Sequence, residues 1–157
     1  MDNPDLGRGG RSEATPPRPL FPPPGAPGPP DQQELTVRLL ADRDAPTRGR
    51  HALRGWLSAR HVPGQTVEDV VLVGTELVAN AVDHAYGDGG PGPVALTARA
   101  WDGWLSLTVS DVGRWRPPPA DRGARGHGLR MVDALAKYVV IDHSGIGTQV
   151  TALFHSP

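Results

Sequence analysis

The sequence predicts an α+β fold, a two-layer sandwich in which one mostly antiparallel sheet of about five strands is covered on one face by about three helices. Three observations carry this expectation. Segments that alternate apolar and polar residues come in adjacent pairs, as hairpins do. Longer segments repeat apolar residues at helical spacing. The elements follow in the order β-α-α-β-β-loop-α-β-β, with no internal repeat.

The chain has 157 residues, and residues 1–32 stand apart from the rest. "PPRPLFPPPGAPGPP", residues 16–30, is mostly proline and glycine. Proline removes a backbone donor and fixes φ, so this run forms neither helix nor central strand. Residues 1–32 are expected to be a disordered or polyproline-like tail, and residues 33–157 a single domain with one core.

"ELTVRLLAD" (Glu34 to Asp42) is rich in Leu and Val and reads as an edge strand. "APTRGRHALRGWLSARH" (Ala45 to His61) places Ala52, Leu53, Trp56, Leu57 and Arg60 at helical spacing, with a proline near its start. "VPG" ends it. Thr66 is then the expected N-cap of a long helix from Val67 to about Tyr86, with Glu68 and Asp69 facing the positive end of its dipole. The apolar stripe of that helix is Val67, Val70, Val71, Leu77, Val78, Ala81, Val82 and Ala85.

"GDGGPGP" is a loop by composition. "VALTARAW" and "WLSLTVSD" alternate on either side of an Asp-Gly turn and predict a hairpin that ends at Asp111. Residues 112–128 have no periodicity, and a loop of that length inside a domain is usually functional or disordered. "LRMVDALA" reads as a short helix. "KYVVIDH" and "TQVTALFH" are the last two strands, around "SGIG".

Bulk properties remove several classes of function. Net charge is −1, which gives no drive toward nucleic acid or an anionic membrane. The chain has no cysteine, so disulfides, zinc–thiolate sites and thiol catalysis are excluded. No apolar run is long enough to cross a bilayer, and the N-terminus has no apolar signal core. A soluble, cytoplasmic protein is the expectation.

Polar residues interrupt the long helix in one line. In "TELVANAVDHA" (Thr75 to Ala85), Glu76, Asn80 and His84 recur every fourth residue and so share a helix face. Asp83 reads as a solvated residue and His84 as a packing or hydrogen-bonding one. Three further pieces accompany this line. "DVG" (Asp111 to Gly113) closes a strand. "RGHGL" (Arg125 to Leu129) opens a helix, where free N–H groups bind anions and glycine lets the backbone turn toward a ligand. Gly147 and Thr148 open the last strand. The glycine pair is neither a dinucleotide-binding fingerprint, lacking the third glycine, nor a Walker A loop, lacking Lys-Ser or Lys-Thr.

Taken together, the four pieces resemble the GHKL ATPases, the Bergerat-fold nucleotide-binding domains of the gyrase, histidine-kinase and MutL type. Within that group the "ELVANAVDHA" box is similar to the form found in the anti-sigma-factor serine/threonine kinases of Gram-positive bacteria, the RsbW and SpoIIAB type. The resemblance spans residues 34 to 155. It implies ATP and Mg²⁺ as cofactors. Asn80 would hold Mg²⁺ through its side-chain oxygen, and Glu76 would be the base that receives the proton of an attacking hydroxyl. Asp111 would accept a hydrogen bond from the adenine amino group, which guanine lacks at that position. Gly113 would let the backbone approach the base, and Thr148 would support Asp111. Arg125, Gly126, His127, Gly128 and Leu129 would hold the phosphates.

One departure stands out. The family's Asp-x-Gly box often continues to a second glycine, which would fall at position 115. Here that residue is Trp115, followed by Arg116 and Pro117 to Pro119, so the lid of about residues 114–125 is short and stiff. Three readings of function follow. The first is a kinase that phosphorylates a serine of an anti-anti-sigma partner with a STAS-type fold and also binds a sigma factor. It makes no direct contact with nucleic acid or membrane, and the resemblance leaves room for a homodimer. The second is an ATP-binding switch without phosphotransfer. The third is an adaptor with a vestigial pocket.

Overall fold

The structure is a computed structural model that describes residues 34–86, 90–101, 103–114, 127–144 and 146–156. The expected tail (1–32) lies outside these residues. So do Arg125, Gly126, Trp115 and Pro117 to Pro119 of the expected lid.

Among the described residues the chain forms β1 (Leu35–Leu40), α1 (Ala45–Ser58), α2 (Gly64–His84), β2 (Pro93–Trp101), β3 (Trp104–Asp111), α3 (His127–Leu135), β4 (Tyr138–Ser144) and β5 (Gly147–His155). The five strands make one sheet in the order β1-β2-β3-β5-β4, and every neighbouring pair is antiparallel. This is the α+β sandwich that the hairpin pattern predicts, and β1 is at the edge where it was expected.

Alternation in the strands decides which face is covered. Val94, Leu96 and Ala98 of β2, Leu105, Leu107 and Val109 of β3, and Ala152 and Phe154 of β5 are buried on the helix side. On the opposite face Thr108 and Thr151, which are register partners, hydrogen-bond through their hydroxyls at 3.0 Å. Against the covered face α2 buries Val67, Val70, Val71, Leu77, Val78 and Ala81, as its stripe predicts, and adds Val73 and Gly74. Gly74 is a point of close approach. A Cβ there would fall 2.4 Å from Leu53 Cδ1 of α1 and 3.2 Å from Leu107 Cδ2 of β3. Burying a Val or Leu side chain contributes about 1.5–3 kcal/mol, so this cluster dominates the stability of the domain.

The helix starts differ from the expectation. Thr66 is not an N-cap: α2 begins at Gly64 behind Pro63, which has extended backbone, and no side chain caps it. The Pro63 carbonyl accepts the Val67 N–H at 3.0 Å, so the first turn closes three residues early. Glu68 and Asp69 consequently fall beyond the first turn. Glu68 instead pairs with Arg54 of α1 at 2.7 Å, and Asp69 accepts from Gln65. Helix α1 stops at Ser58 rather than His61, because His61 takes a left-handed φ of 55°.

Candidate functional site

The site lies where the C-terminal half of α2, the end of β3, the start of β5 and the first turn of α3 come together. Glu76 and Asn80 are half-buried on α2, one turn apart. Helix α3 starts at His127, so Gly128 and Leu129 lie within its first turn rather than ahead of it. Gly128 rests directly on the polar line of α2. A Cβ at Gly128 would fall 2.9 Å from Glu76 Oε2, 3.7 Å from Asn80 Nδ2 and 3.8 Å from Asn80 Oδ1. A side chain there would touch Asn80 at ordinary contact distance and would require the end of the Glu76 side chain to shift. His84, which extends the line, is exposed, as is Asp83, so of the packing and hydrogen-bonding readings of His84 exposure excludes packing.

That geometry brings a carboxylate and an amide oxygen beside the first turn of α3, whose N–H groups have no partner within the helix. Hard cations of the Mg²⁺ type take oxygen ligands, keep several waters and bridge phosphates. Glu76 and Asn80 supply such oxygens. Among the described residues no three His, Asp or Glu side chains gather into an all-protein cage. An amide oxygen such as that of Asn80 is compatible with an ion of this type.

The second part of the site is the end of β3. Asp111 is the register partner of Thr148 on β5, and Thr148 is the partner of His143 on β4, so the three form one row across the sheet. The Asp111 carboxylate accepts the Gly113 N–H at 3.0 Å. Partial burial pushes its pKa above the usual aspartate range. The backbone amides of Gly113 and Thr148 and the nearby His143 pull it back down. Thr148 therefore lies beside the Asp111 carboxylate, as its register position requires.

Two glycines make this corner possible. A Cβ at Gly113 would lie 2.1 Å from the carbonyl oxygen of Ala85, at the end of α2. A Cβ at Gly147, where φ is +145°, would lie 1.9 Å from the carbonyl oxygen of Asp111. Both neighbours are backbone and cannot rotate away. Alongside, the Ala85 carbonyl accepts the Arg114 N–H at 2.9 Å. Tyr86 donates its hydroxyl to the Pro93 carbonyl and accepts the Val112 N–H at 3.2 Å. Nothing in the sequence pattern singles out Tyr86, although it stands directly after the polar line.

Of the expected site residues, the structure gathers Glu76, Asn80 and Gly128 at one corner and Asp111, Gly113 and Thr148 at the other. Leu129 is on the α3 turn, half exposed. His127 opens that turn. Arg125 and Gly126 lie outside the described residues. Two clefts of about 290 and 360 Å³ open at the far end of the molecule, one around Thr66, Asp69 and Lys137 and the other around Trp101 and Trp104. Neither touches these residues.

The sequence matches the family model for the histidine kinase-like ATPase domain over residues 39–154. The structure is similar to the solved RsbU and RsbW domains of Rv1364c from Mycobacterium tuberculosis, with 29% identity and a TM-score of 0.64 over 79% of this chain and 32% of that one. The present chain therefore spans about a third of the length of that structure. It is also similar to the blue-light activated histidine kinase of Erythrobacter litoralis, with 30% identity and a TM-score of 0.52 over 60% of this chain and 32% of that one. The histidine kinase domain of the same protein shares the fold, with 24% identity and a TM-score of 0.52 over 71% of this chain and 59% of that one.

Proposed function

The chain belongs to the histidine kinase-like ATPase domain family, and from that premise we propose that it is an Mg·ATP-dependent serine/threonine protein kinase acting as an anti-sigma regulator. The observation that carries this reading is the seat of Gly128 on Glu76 and Asn80. Gly128 lies in the first turn of α3 and against a carboxylate and an amide of α2, which supports this reading. Residues 33–157 form the nucleotide-binding domain in this reading. Its RsbW-named neighbour supports a partner-switching role with a STAS-type anti-anti-sigma protein and a sigma factor in the cytoplasm, with a homodimer compatible.

The roles follow from the chemistry. Adenine donates its amino hydrogen to Asp111, with Gly113 and Thr148 holding the carboxylate in place. The amides of His127, Gly128 and Leu129, joined by Arg125 and Gly126, hold the phosphates. Asn80 would hold Mg²⁺ through its side-chain oxygen, and the ion would supply positive charge against the phosphates. Glu76 takes the proton of the attacking serine hydroxyl as its oxygen bonds to the γ-phosphorus, and ADP carries away the bridging oxygen's electron pair.

The test is a titration of the full chain with ATP, with and without Mg²⁺, beside Asn80→Ala and Asp111→Asn. ATP binding that Mg²⁺ strengthens, that Asn80→Ala uncouples from Mg²⁺ and that Asp111→Asn weakens supports the pocket. No binding at millimolar ATP sinks it. A second reading, an ATP-binding switch without phosphotransfer, is favoured by Trp115 and Pro117 to Pro119 in place of a glycine-rich lid. It predicts Mg·ATP binding with no phosphate passed to a serine-bearing partner.

A further inference from the structure

Main-chain groups of residues 112–114 are held one after another. The Val112 N–H donates to the Tyr86 hydroxyl at 3.2 Å. The Gly113 N–H donates to Asp111 Oδ1 at 3.0 Å. The Arg114 N–H donates to the Ala85 carbonyl at 2.9 Å. The segment that follows Asp111 is thereby bound to the last turn of the helix that carries Glu76 and Asn80.

Among these ties, the one at Tyr86 has a distinct chemistry. Its hydroxyl is used in both directions, as donor to the Pro93 carbonyl on β2 and as acceptor from Val112, the residue that follows β3. Its ring fills the place a side chain would need at Gly92, where a Cβ would lie 2.0 Å from Tyr86 Cε1. The ring is therefore fixed by packing, and the hydroxyl is fixed by the ring. Burial raises the phenol's pKa above its usual range, partly offset by the Val112 N–H, so the donor proton is retained. Among the described residues, no other side chain bonds both the first residue of β2 and the residue that follows Asp111.

We propose that Tyr86 is a positioning residue for base recognition: its hydroxyl sets the angle at which Asp111 meets the base and keeps that carboxylate in register with the Glu76–Asn80 corner. Tyr86 touches neither base nor phosphate and acts through the Val112 amide. The proposal rests on the reading of Asp111 as the adenine acceptor.

Tyr86→Phe keeps the ring against Gly92 and removes the hydroxyl, so the fold is retained. Binding of ATP, GTP and inorganic tripolyphosphate to the full chain is measured for wild type and variant by calorimetry. Loss of one or two net hydrogen bonds corresponds to about a tenfold change in affinity. The expected result is ATP bound about tenfold more weakly, the ATP-over-GTP preference reduced by a similar factor, and tripolyphosphate unchanged. The Val112 amide should also exchange with deuterium faster. In an Asp111→Asn background, adding Tyr86→Phe should then cost nothing further, since residues acting as a unit are not additive. An unchanged ATP-over-GTP ratio overturns the proposal while leaving the ATP pocket standing. So does an equal loss for all three ligands, which marks a general structural role. Absence of ATP binding in the wild type overturns both this proposal and the functional reading beneath it.

Discussion

The two halves of α2 bury the same kind of side chain and meet different neighbours. Residues 64–74 pack Val67, Val70, Val71, Val73 and Gly74 against side chains of α1 and the sheet. Residues 75–84 still bury Leu77, Val78 and Ala81, but their other face turns Glu76 and Asn80 toward the backbone of α3. Just beyond, Ala85 meets the backbone of Gly113. Side chains yield a few tenths of an ångström at modest cost, whereas backbone does not. The first half should therefore govern stability and the second half binding, and substitutions can separate the two.

The largest effect is expected in the first half. Leu53, fully buried against Gly74, loses about 2–5 kcal/mol of stability on Leu53→Ala. Urea denaturation measures it, and ATP affinity per folded molecule should stay within twofold of wild type. A loss of affinity without loss of stability would erase the distinction.

Next comes Gly113→Ala. Its Cβ would lie 2.1 Å from a backbone carbonyl, so the Asp111 segment must move away from α2. Overpacking of this kind costs about 1–3 kcal/mol, less than the core truncation. ATP affinity, however, should fall at least tenfold. Retained affinity would mean that the corner is soft.

Glu76→Gln should leave the urea midpoint within about 0.5 kcal/mol of wild type, as half-exposed polar exchanges do. Transfer of phosphate to a serine-bearing partner should drop about 10²–10⁴-fold, the usual worth of a general base. A variant that transfers at the wild-type rate removes Glu76 from that role.

Asp111→Asn produces a smaller effect of opposite sign. Burial raises the Asp111 pKa, so the folded chain keeps this proton to higher pH than the unfolded chain does. As pH rises from the ordinary aspartate range through the folded value, the unfolded chain ionises first and wild-type stability falls. The asparagine variant escapes that loss. Thermal denaturation should find it at least as stable as wild type at pH 7, with the difference gone below the ordinary aspartate range, while its ATP binding is weaker. Greater wild-type stability at pH 7 would reverse the sign argued here.

Smallest of all is Arg54→Ala. The Arg54–Glu68 pair is bidentate but largely exposed, and such pairs contribute little and fade with salt. The urea midpoint should barely move, and a clear shift that persists in high salt would give this pair a weight its exposure denies it.

Much of this arrangement could be read in the sequence because it depends on period. The helical stripe from Val67 to Ala85 and the alternation on both sides of the Asp-Gly turn place the layers. The four-residue step of Glu76 and Asn80 places both groups on one face. Features that depend on close approach were not legible. Pro63 takes over the helix start from Thr66 because an extended proline lets its own carbonyl close the first turn. Gly74 reads as a helix-weakening residue until Leu53 is found against it. Thr148 faces Asp111 through strand register, which the identity of a single residue does not reveal. Tyr86 reads as the end of a helix, and only the fold brings Val112 and Pro93 to its hydroxyl.

The far end of the molecule has an optical consequence. Trp101 and Trp104 are register partners at the β2–β3 turn, with Trp104 lying 5.3 Å from the His155 ring and 6.3 Å from Tyr138. Trp56 sits beneath the Arg60 guanidinium, 4.0 Å from its centroid. Three of the four tryptophans thus emit from places remote from Asp111, and the fourth, Trp115, stands four residues after it in the sequence. Intrinsic fluorescence of this protein is the sum of the emission of Trp56, Trp101 and Trp104 and that of Trp115. Replacing Trp115 with phenylalanine separates them, leaving an emission that follows unfolding alone.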